Sequence, residues 1–314
     1  MYYPYFRGKQ NELIVIRENA ELIKSANFIP IIEPVKESVN PLKRALDAII
    51  KVNGKAILIA NPQYGDHHDN GNAIEELLAN DYTNENIAIG LIASERSDIT
   101  EMRAICQKFD GRDMAFIHTG FTDAKLLIDQ LQISEGKHTH IFDEDFCVKL
   151  YRKHFEKSQR ILLRDGFKRR KNREHPELEV FSDLHATYLE DRMNGFGDFL
   201  IVGDDYSESG GPAYAVAIHI TFIDEEKDNL MLIHHFVSDR QDSPADPGGK
   251  FLEALDKLNV AVTQDDSKIL RTAAIEEFLS LHQKKHFPGL GYVKKLSMQH
   301  HIETMANYFQ NEAN

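Results

Sequence analysis

The sequence predicts an α/β fold of the TIM-like (β/α)8 barrel class, with an added antiparallel β-hairpin after the eighth strand and C-terminal helices. Eight short apolar runs recur along residues 1–205, and segments of helical period lie between them. The runs are almost continuously apolar, which is typical of parallel strands buried on both faces. A barrel of this class has about 250 residues, and the chain has 314. An open, doubly wound sheet is the alternative if a weaker run is not a strand.

The predicted strands begin at the amino terminus. The first run, YYPYF, precedes a charged Arg7-Gly8-Lys9 turn, so this turn stands at a strand's carboxyl end if the run is a strand. The first and fifth runs are the weakest. The eight runs are YYPYF (2–6), FIPII (28–32), KAILIA (55–60), IAIGLI (87–92), MAFIH (114–118), HTHIF (138–142), RILLR (160–164) and DFLIV (198–202).

Amphipathic segments separate the predicted strands. Pro41 after Asn40 is typical of a first helical turn behind an N-cap, and Ser97 or Asp98 suits the N-cap of a later helix. No glycine fingerprint for dinucleotides follows any of the strands. The helical segments cover residues 10–25, 41–52, 72–80, 97–109, 122–132, 145–155 and 179–193.

The pattern changes after the eighth predicted strand. A turn-rich loop, GDDYSESGGP, leads into two strand-like runs at 213–224 and 229–239, and the EEKD turn between them predicts an antiparallel hairpin. Helices are predicted at 248–259, at 268–284 and near 292–310. We therefore expect one elaborated domain, with eight βα units in 1–205, a loop and hairpin insertion in 206–240, and closing helices in 241–314.

Composition limits the classes of function. A formal net charge of −13 argues against general nucleic-acid binding, because nonspecific phosphate binding needs a basic surface. No apolar stretch approaches the roughly 20 residues of a membrane span, and no secretory leader is recognisable, so we expect a cytoplasmic protein without membrane partners. Two cysteines exclude a disulfide framework and a four-thiolate metal site.

Three segments resemble a known family. The start YPYFRGKQNELIVIRE, followed by FIPIIEPVK, and the later FGDFLIVGDDY are similar to the "beta protein" family of largely uncharacterised bacterial and phage proteins. Members of that family open with a proline-containing strand, a basic-Gly turn and a Glu-led helix, and their genes are often found beside phage-defence genes. The resemblance favours treating Arg7, Glu12 and Glu33 as a set, and it implies a role in phage defence. It supplies no reaction.

The candidate site lies at the carboxyl ends of the strands, where barrels place their active sites. Glu33 and Arg164 directly follow apolar runs, and a lone buried charge there would cost several kcal/mol without a partner. We expect counter-charges from Arg7 or Lys36 for Glu33, and from Asp143 or Asp165 for Arg164. A structural ring of ion pairs is the alternative explanation.

A basic loop follows the seventh predicted strand. In RDGFKRRKNREHPE, six cations fall within ten positions of an acidic protein, in the region where barrels commonly hold phosphate. A solvated charged loop is the alternative. The acidic GDDYSE loop after the eighth strand is predicted to lie opposite the basic loop. The predicted substrate and phosphate ligands are Arg7, Lys9, Lys36, Arg164, Lys168 and Arg169.

Acidic groups at the same rim suit acid–base chemistry. The predicted catalytic residues are Glu33, Asp143, His118 and Asp204, because carboxylates and a histidine can transfer protons near neutral pH. The oxygen ligands that Mg²⁺ or Mn²⁺ prefers could come from Glu33, Asp143, Asp204 and Asp205. Adjacent histidines in DHHDNG (66–71), LIHHFVSD (232–239) and MQHHIE (298–303) point apart and predict no zinc motif.

Two classes of function remain open at this stage. The first is a metal-assisted phosphodiester hydrolase that binds a small phosphorylated ligand or a nucleotide. The second is a ligand-sensing or partner-binding module of a defence system, whose partner is a protein of the same operon or a second copy of the chain. Serine or cysteine covalent catalysis and P-loop nucleotide hydrolysis are disfavoured, because their motifs are absent.

Overall fold

The structure is a computed structural model that describes residues 1–208 and 211–312. Its contacts divide the chain into two units, each built from two pieces of sequence. The first unit comprises Met1–Arg164 and Thr187–Asp198, and the second comprises Asp165–Ala186 and the chain from Phe199 onwards. The one elaborated domain that the sequence predicts stays a prediction.

The first unit is a nearly closed TIM-like barrel of eight parallel strands, as predicted. Each strand pairs in parallel with the next, in sequence order. Strand β8 belongs to the second unit. The barrel strands are β1 (Tyr5–Phe6), β2 (Ile31–Ile32), β3 (Ala56–Ile59), β4 (Ile87–Ser94), β5 (Met114–Thr119), β6 (Thr139–Asp143), β7 (Gln159–Leu163) and β9 (Gly195–Gly197).

The amino terminus closes the barrel against its last strand. Tyr2 bridges Phe196 in parallel, and the Tyr3 N–H donates to the carbonyl oxygen of Phe196 at 2.8 Å. Tyr2 and Tyr3 are buried, with at most 1% of their surface exposed. The first predicted strand is therefore part of the fold from its second residue.

The eighth barrel strand was placed wrongly from the sequence. It is β9 (Gly195–Gly197), whereas the predicted run at 198–202 leaves the sheet, and Leu200 within it has φ +51°. Glycine makes the true strand hard to recognise, because a strand pattern is read from side chains. A Cβ at Gly197 would lie 2.2 Å from the Tyr3 carbonyl oxygen, so close backbone approach requires glycine there.

Helices alternate with the barrel strands. Buried apolar residues recur on one face of each longer helix, such as Leu42, Leu46 and Ile49 on α3. The predicted segment 10–25 forms two helices, and the segment 145–155 contains only a short one. The helices are α1 (Gln10–Glu18), α2 (Ala20–Ser25), α3 (Asn40–Lys51), α4 (Asn72–Asn80), α5 (Ile99–Lys108), α6 (Ala124–Leu131) and α7 (Lys149–Lys153).

The second unit contains an antiparallel three-stranded sheet and helices. Its strands are β8 (Leu178–Ser182), β10 (Ala217–Asp224) and β11 (Leu230–Val237), in the order β10-β11-β8. Strands β10 and β11 form the predicted hairpin. Helix α8 (Leu184–Thr187) follows β8, and the C-terminal helices are α9 (Pro247–Thr263), α10 (Ala273–Lys284) and α11 (Leu290–Glu312).

Of the predicted helix at 179–193, only α8 (Leu184–Thr187) is helical. The start of the predicted segment forms strand β8 because the side chains there alternate in exposure: Val180 is 48% exposed, whereas Phe181 is 4% exposed. Ser209 and Gly210 of the predicted turn-rich loop, and Ala313 and Asn314 of the C-terminal segment, lie outside the described residues. Across 1–208 and 211–312, no helix has both the length and the apolar character that crossing a membrane requires.

Candidate functional site

A buried ion pair lies at the carboxyl ends of β1 and β2. Arg7 follows β1 and donates from Nη1 to Oε2 of Glu33, which follows β2. The same oxygen accepts a hydrogen bond from the Tyr5 hydroxyl at 2.8 Å, and Oε1 accepts one from the Gln63 backbone N–H at 2.8 Å. Glu33 has no exposed surface, so these donors compensate a charge that has lost its water. This is the counter-charge that the sequence predicts for Glu33.

The Arg7-Gly8-Lys9 turn fixes the position of this pair. Gly8 has φ +62°, and a Cβ there would lie 2.8 Å from the carbonyl oxygen of Glu33. The Arg7 guanidinium lies over the ring of Tyr64, 4.5 Å from its centroid, and 5.1 Å from that of Tyr5. Cation–π contacts of this kind hold a guanidinium in place. The turn therefore brings a basic side chain to the rim in a defined orientation.

The two predicted lysines of this region occupy looser positions. Lys9 is half-buried at the N-cap of α1. Lys36 is exposed on the loop after β2, and its carbonyl oxygen lies 3.0 Å from Nε2 of His67. Each lies a few residues from the Arg7–Glu33 pair along the chain.

A second ion pair lies at the ends of β6 and β7. Arg164 follows β7 and binds Glu144 with two donors, Nε to Oε2 and Nη2 to Oε1, the second at 3.1 Å. Both side chains are about a third exposed, at 28% and 31%. Asp143, the last residue of β6, is buried, and its Oδ1 accepts from the Asp145 N–H at 3.1 Å. The sequence predicts Asp143 or Asp165 as the counter-charge of Arg164, and the structure pairs Arg164 with Glu144, the residue after Asp143.

His118 lies inside β5 and packs against the segment that contains α7. Its Nδ1 is 2.8 Å from the Tyr151 hydroxyl, and its Nε2 is 3.0 Å from Nδ1 of His140. The rings of Phe142 and Phe155 contact it at centroid distances of 4.7 and 4.8 Å. Burial lowers the pKa of His118 well below its ordinary value, and the neighbouring His140 adds to this. These contacts give His118 a packing role, and its role in proton transfer stays a prediction.

The remaining predicted residues belong to the second unit. Lys168 lies 3.5 Å from a carboxylate oxygen of Glu179, and Arg169 lies 3.4 Å from one of Asp205. The Asp204 N–H donates to Oδ2 of Asp165 at 2.8 Å. The predicted approach of the basic and acidic loops is therefore present as the exposed Arg169–Asp205 pair.

The carboxylates predicted to bind a metal are not grouped within either unit. In the barrel unit, Glu33 and Asp143 stand at the ends of β2 and β6, which three strands separate. Among the described residues, one group of three metal-ligating side chains lies close enough together to share an ion. It consists of His175, His219 and His235 of the second unit. The predicted Mg²⁺ or Mn²⁺ set stays a prediction.

Comparison with known proteins adds no identity. No protein-family model matches the chain, and no curated protein sequence matches it. The resemblance noted in the sequence therefore stays a prediction.

Sequence reasoning missed several residues around these pairs. Tyr5, Gln63 and Tyr64 hold the Arg7–Glu33 pair, but aromatic and amide residues near strand ends give no distinctive pattern. The histidine group of the second unit was missed because only adjacent histidines were considered. The signal was available: pairing the hairpin around its EEKD turn sets His219 opposite His235.

Proposed function

We propose that the barrel binds a phosphate-bearing or nucleotide-like ligand at its carboxyl rim and hydrolyses a phosphodiester bond of that ligand. The observation that carries the proposal is the buried Arg7–Glu33 pair at the ends of β1 and β2. Barrel enzymes place their sites at this face. Removing two charges from water costs several kcal/mol of stability. Orienting a cation for an anionic ligand is a functional reason for that cost.

Arg164 is the proposed contact that exchanges with the ligand. Its guanidinium presents a planar pair of donors to Glu144, and a phosphate offers acceptors of the same geometry. Since the pair is about a third exposed, a ligand phosphate can displace the Glu144 carboxylate without opening the core. Arg7 is held by more contacts and is the proposed fixed contact.

Asp143 is the proposed acid–base group. Both oxygens of Glu33 already accept hydrogen bonds, which leaves that carboxylate poorly suited to take a proton. Asp143 ends β6 next to Glu144, the partner of Arg164, so it lies near the proposed phosphate contact. An assisting Mg²⁺ or Mn²⁺ would take ligands from this carboxylate and from the phosphate, as Mg²⁺ commonly does.

Ligand titration tests the binding half of this proposal. We expect inorganic phosphate or a mononucleotide to bind the full chain in calorimetry, and Arg164→Gln to weaken binding roughly 10-fold or more, because a charged hydrogen bond contributes about 1.5–3 kcal/mol. Arg17→Gln, on the exposed face of α1, is the matched control and should leave affinity unchanged. Equal affinity of both variants would overturn the proposed site.

The catalytic half has its own test. Hydrolysis of bis(p-nitrophenyl) phosphate is measured with Mg²⁺ or Mn²⁺ present, and we expect Asp143→Asn to lose the activity while it retains phosphate binding. If the wild-type chain binds phosphate but does not hydrolyse the diester, the proposed reaction is overturned and the proposed ligand site stands.

A partner-binding module in phage defence is the second candidate. Phe146 and Val148, between β6 and α7, and Leu150, in α7, are 56%, 70% and 78% exposed, which is unusual for large apolar side chains at alternate positions. Apolar side chains elsewhere are mostly covered: Val216, Ile218, Ile220, Met298, Ile302 and Met305 are buried, whereas Tyr214 before β10 is 45% exposed. If the rim binds no phosphate, loss of phage protection on changing Val148 and Leu150 to Ser would favour this second candidate.

A further inference from the structure

Three histidines meet on one face of the second unit's sheet. His219 on β10 and His235 on β11 stand directly opposite each other, and their Nδ1 atoms are 2.7 Å apart. His175, just before β8, stacks on His235 with ring centroids 4.3 Å apart. One ring nitrogen from each of the three lies within 4.8 Å of the others. We call these residues the three-histidine cluster.

One nitrogen of the cluster is buried without a hydrogen bond. The His175 side chain is 1% exposed, and within the described residues its Nδ1 has no hydrogen-bond partner. The nearest carboxylate oxygen, Oε1 of Glu179, is 3.9 Å away, which is beyond hydrogen-bond distance. A buried polar nitrogen left in this way costs about 1–3 kcal/mol. A ligand near the other two histidines would explain it.

The surroundings disfavour a positive charge on each histidine of the cluster. Burial lowers the pKa of His175, lowers that of His219 well below its ordinary value, and lowers that of His235 to about 4. Neighbouring histidines and the cations Arg170 and Lys294 act in the same direction, while Glu179 opposes them. Neutral imidazole is the form that coordinates a metal ion.

A fixed carboxylate supports the cluster from one side. Glu179 on β8 accepts from Nε2 of His235 at 3.2 Å, and Arg170 holds both Glu179 oxygens at 2.7 and 3.0 Å. With Nε2 protonated toward Glu179, the lone pair of His235 is on Nδ1, which faces His219. Histidines that bind metals commonly donate their other N–H to a carboxylate in this manner.

We propose that the three-histidine cluster binds one divalent ion of the zinc class. Tetrahedral Zn²⁺ with nitrogen ligands at about 2.0–2.1 Å requires nitrogen separations of roughly 3.4 Å. The present separations, 2.7 Å for one pair and up to 4.8 Å for the group, bracket that value. His219 and His235 bind through Nδ1, His175 supplies one of its ring nitrogens, and the fourth position is left for water. The site stands apart from the proposed rim function and does not depend on it.

Metal titration of the full chain tests this site. The protein is stripped with a chelator and titrated with Zn²⁺, and bound metal is counted after gel filtration by mass spectrometry. We expect one Zn²⁺ per chain and a higher Tm in its presence. Binding of Co²⁺ should give the intense visible bands of a tetrahedral site. A wild-type chain that folds and retains no stoichiometric Zn²⁺ would overturn the proposal.

Matched variants separate this site from adventitious binding, since the chain has 15 histidines. His219→Gln and His235→Gln should each weaken Zn²⁺ binding by more than roughly 100-fold, beyond the loss expected for an outer hydrogen-bond partner. His234→Gln, next along β11 and on the opposite face, should keep wild-type affinity. Folding is checked by circular dichroism, and the half-buried His219 provides the test if the His235 variant does not fold. Wild-type affinity in a folded His219 variant, or an equal loss in His234→Gln, would refute the assignment.

Discussion

Tyr2 and Phe196 form the parallel bridge that joins the amino terminus to the last strand of the barrel. The Tyr2 ring packs on that of Phe196 at a centroid distance of 5.1 Å, and the Phe196 N–H donates to the Met1 carbonyl oxygen at 3.0 Å. Gly195 and Gly197 flank Phe196. A Cβ on Gly195 would lie 2.5 Å from the Met1 carbonyl oxygen, and one on Gly197 would lie 2.2 Å from that of Tyr3. Closure of the barrel therefore depends on two glycines.

Gly197→Ala should destabilise the protein by about 3 kcal/mol, because the added carbon meets backbone that cannot move aside without breaking the Tyr3–Phe196 hydrogen bond. The measurement is the free energy of unfolding from urea denaturation. Gly211→Ala is the control, since a Cβ there meets nothing within 4 Å. A Gly197 variant as stable as the Gly211 variant would mean that this end of the barrel is not tightly closed.

The barrel could be predicted from the sequence because its strands are buried on both faces. Runs such as IAIGLI and FIPII have no polar face, and few structures other than a parallel sheet accommodate so many of them. The eighth strand could not be predicted, because Gly195-Phe196-Gly197 has a single side chain beyond hydrogen and its pairing depends on close backbone approach. The third strand of the smaller sheet, β8, was missed because its exposed positions carry the apolar Leu178 and Val180 while Glu179 lies at a largely buried one, the reverse of the usual strand pattern.

Glu33 and Arg164 should respond differently to neutralisation. Glu33→Gln removes the negative charge beside the buried Arg7, and breaking a buried pair in this way costs about 3–5 kcal/mol. Arg164→Gln breaks a pair that is about a third exposed, and we expect a cost of about 1 kcal/mol or less. Urea denaturation of the two variants measures both values. Similar small losses would show that the Arg7–Glu33 pair is well hydrated in solution.

Acid should destabilise the barrel through its buried histidines. Burial, together with the neighbouring His138, lowers the pKa of His140 to about 3. In the unfolded chain His140 has its ordinary pKa near 6.5, so between pH 6.5 and about 3 only the unfolded chain binds the proton. The stabilisation is complete above pH 6.5 and is lost as the pH falls, by up to about 1.4 kcal/mol per pH unit for each such group.

Unfolding free energies at pH 7.5, 6.0 and 5.0 measure this dependence. His140→Gln should reduce its slope by up to one proton, whereas His154→Gln, at an exposed position after α7, should leave the slope unchanged. Equal slopes in the wild-type chain and the His140 variant would show that the unfolded and native chains titrate alike at this residue.

The candidate sites were less predictable than the fold. The Arg7–Glu33 contact follows from adjacent parallel strands, whose carboxyl ends meet, and so it could be anticipated. The three-histidine cluster combines a loop residue, His175, with two strand residues that lie 16 positions apart in sequence. The EEKD turn supplies the hairpin register, but the cluster also requires the pairing of β8 with β11, which composition and local motifs do not supply.

Glu179→Gln should weaken Zn²⁺ binding by about 10- to 100-fold, the usual loss when a carboxylate that orients a metal-bound histidine is removed. The amide keeps the size of the side chain but no longer attracts the proton on Nε2 of His235, so the imidazole becomes a weaker ligand. Glu177→Gln, two residues earlier with an 85% exposed side chain near His234, is the control and should bind Zn²⁺ as the wild type does. Glu179 also pairs with Arg170, so its substitution affects stability as well as zinc binding. The zinc titration of each variant is therefore run at the temperature at which the two variants have the same free energy of unfolding. An unchanged affinity in Glu179→Gln would restrict that carboxylate to its ion pair and leave His235 oriented by packing alone.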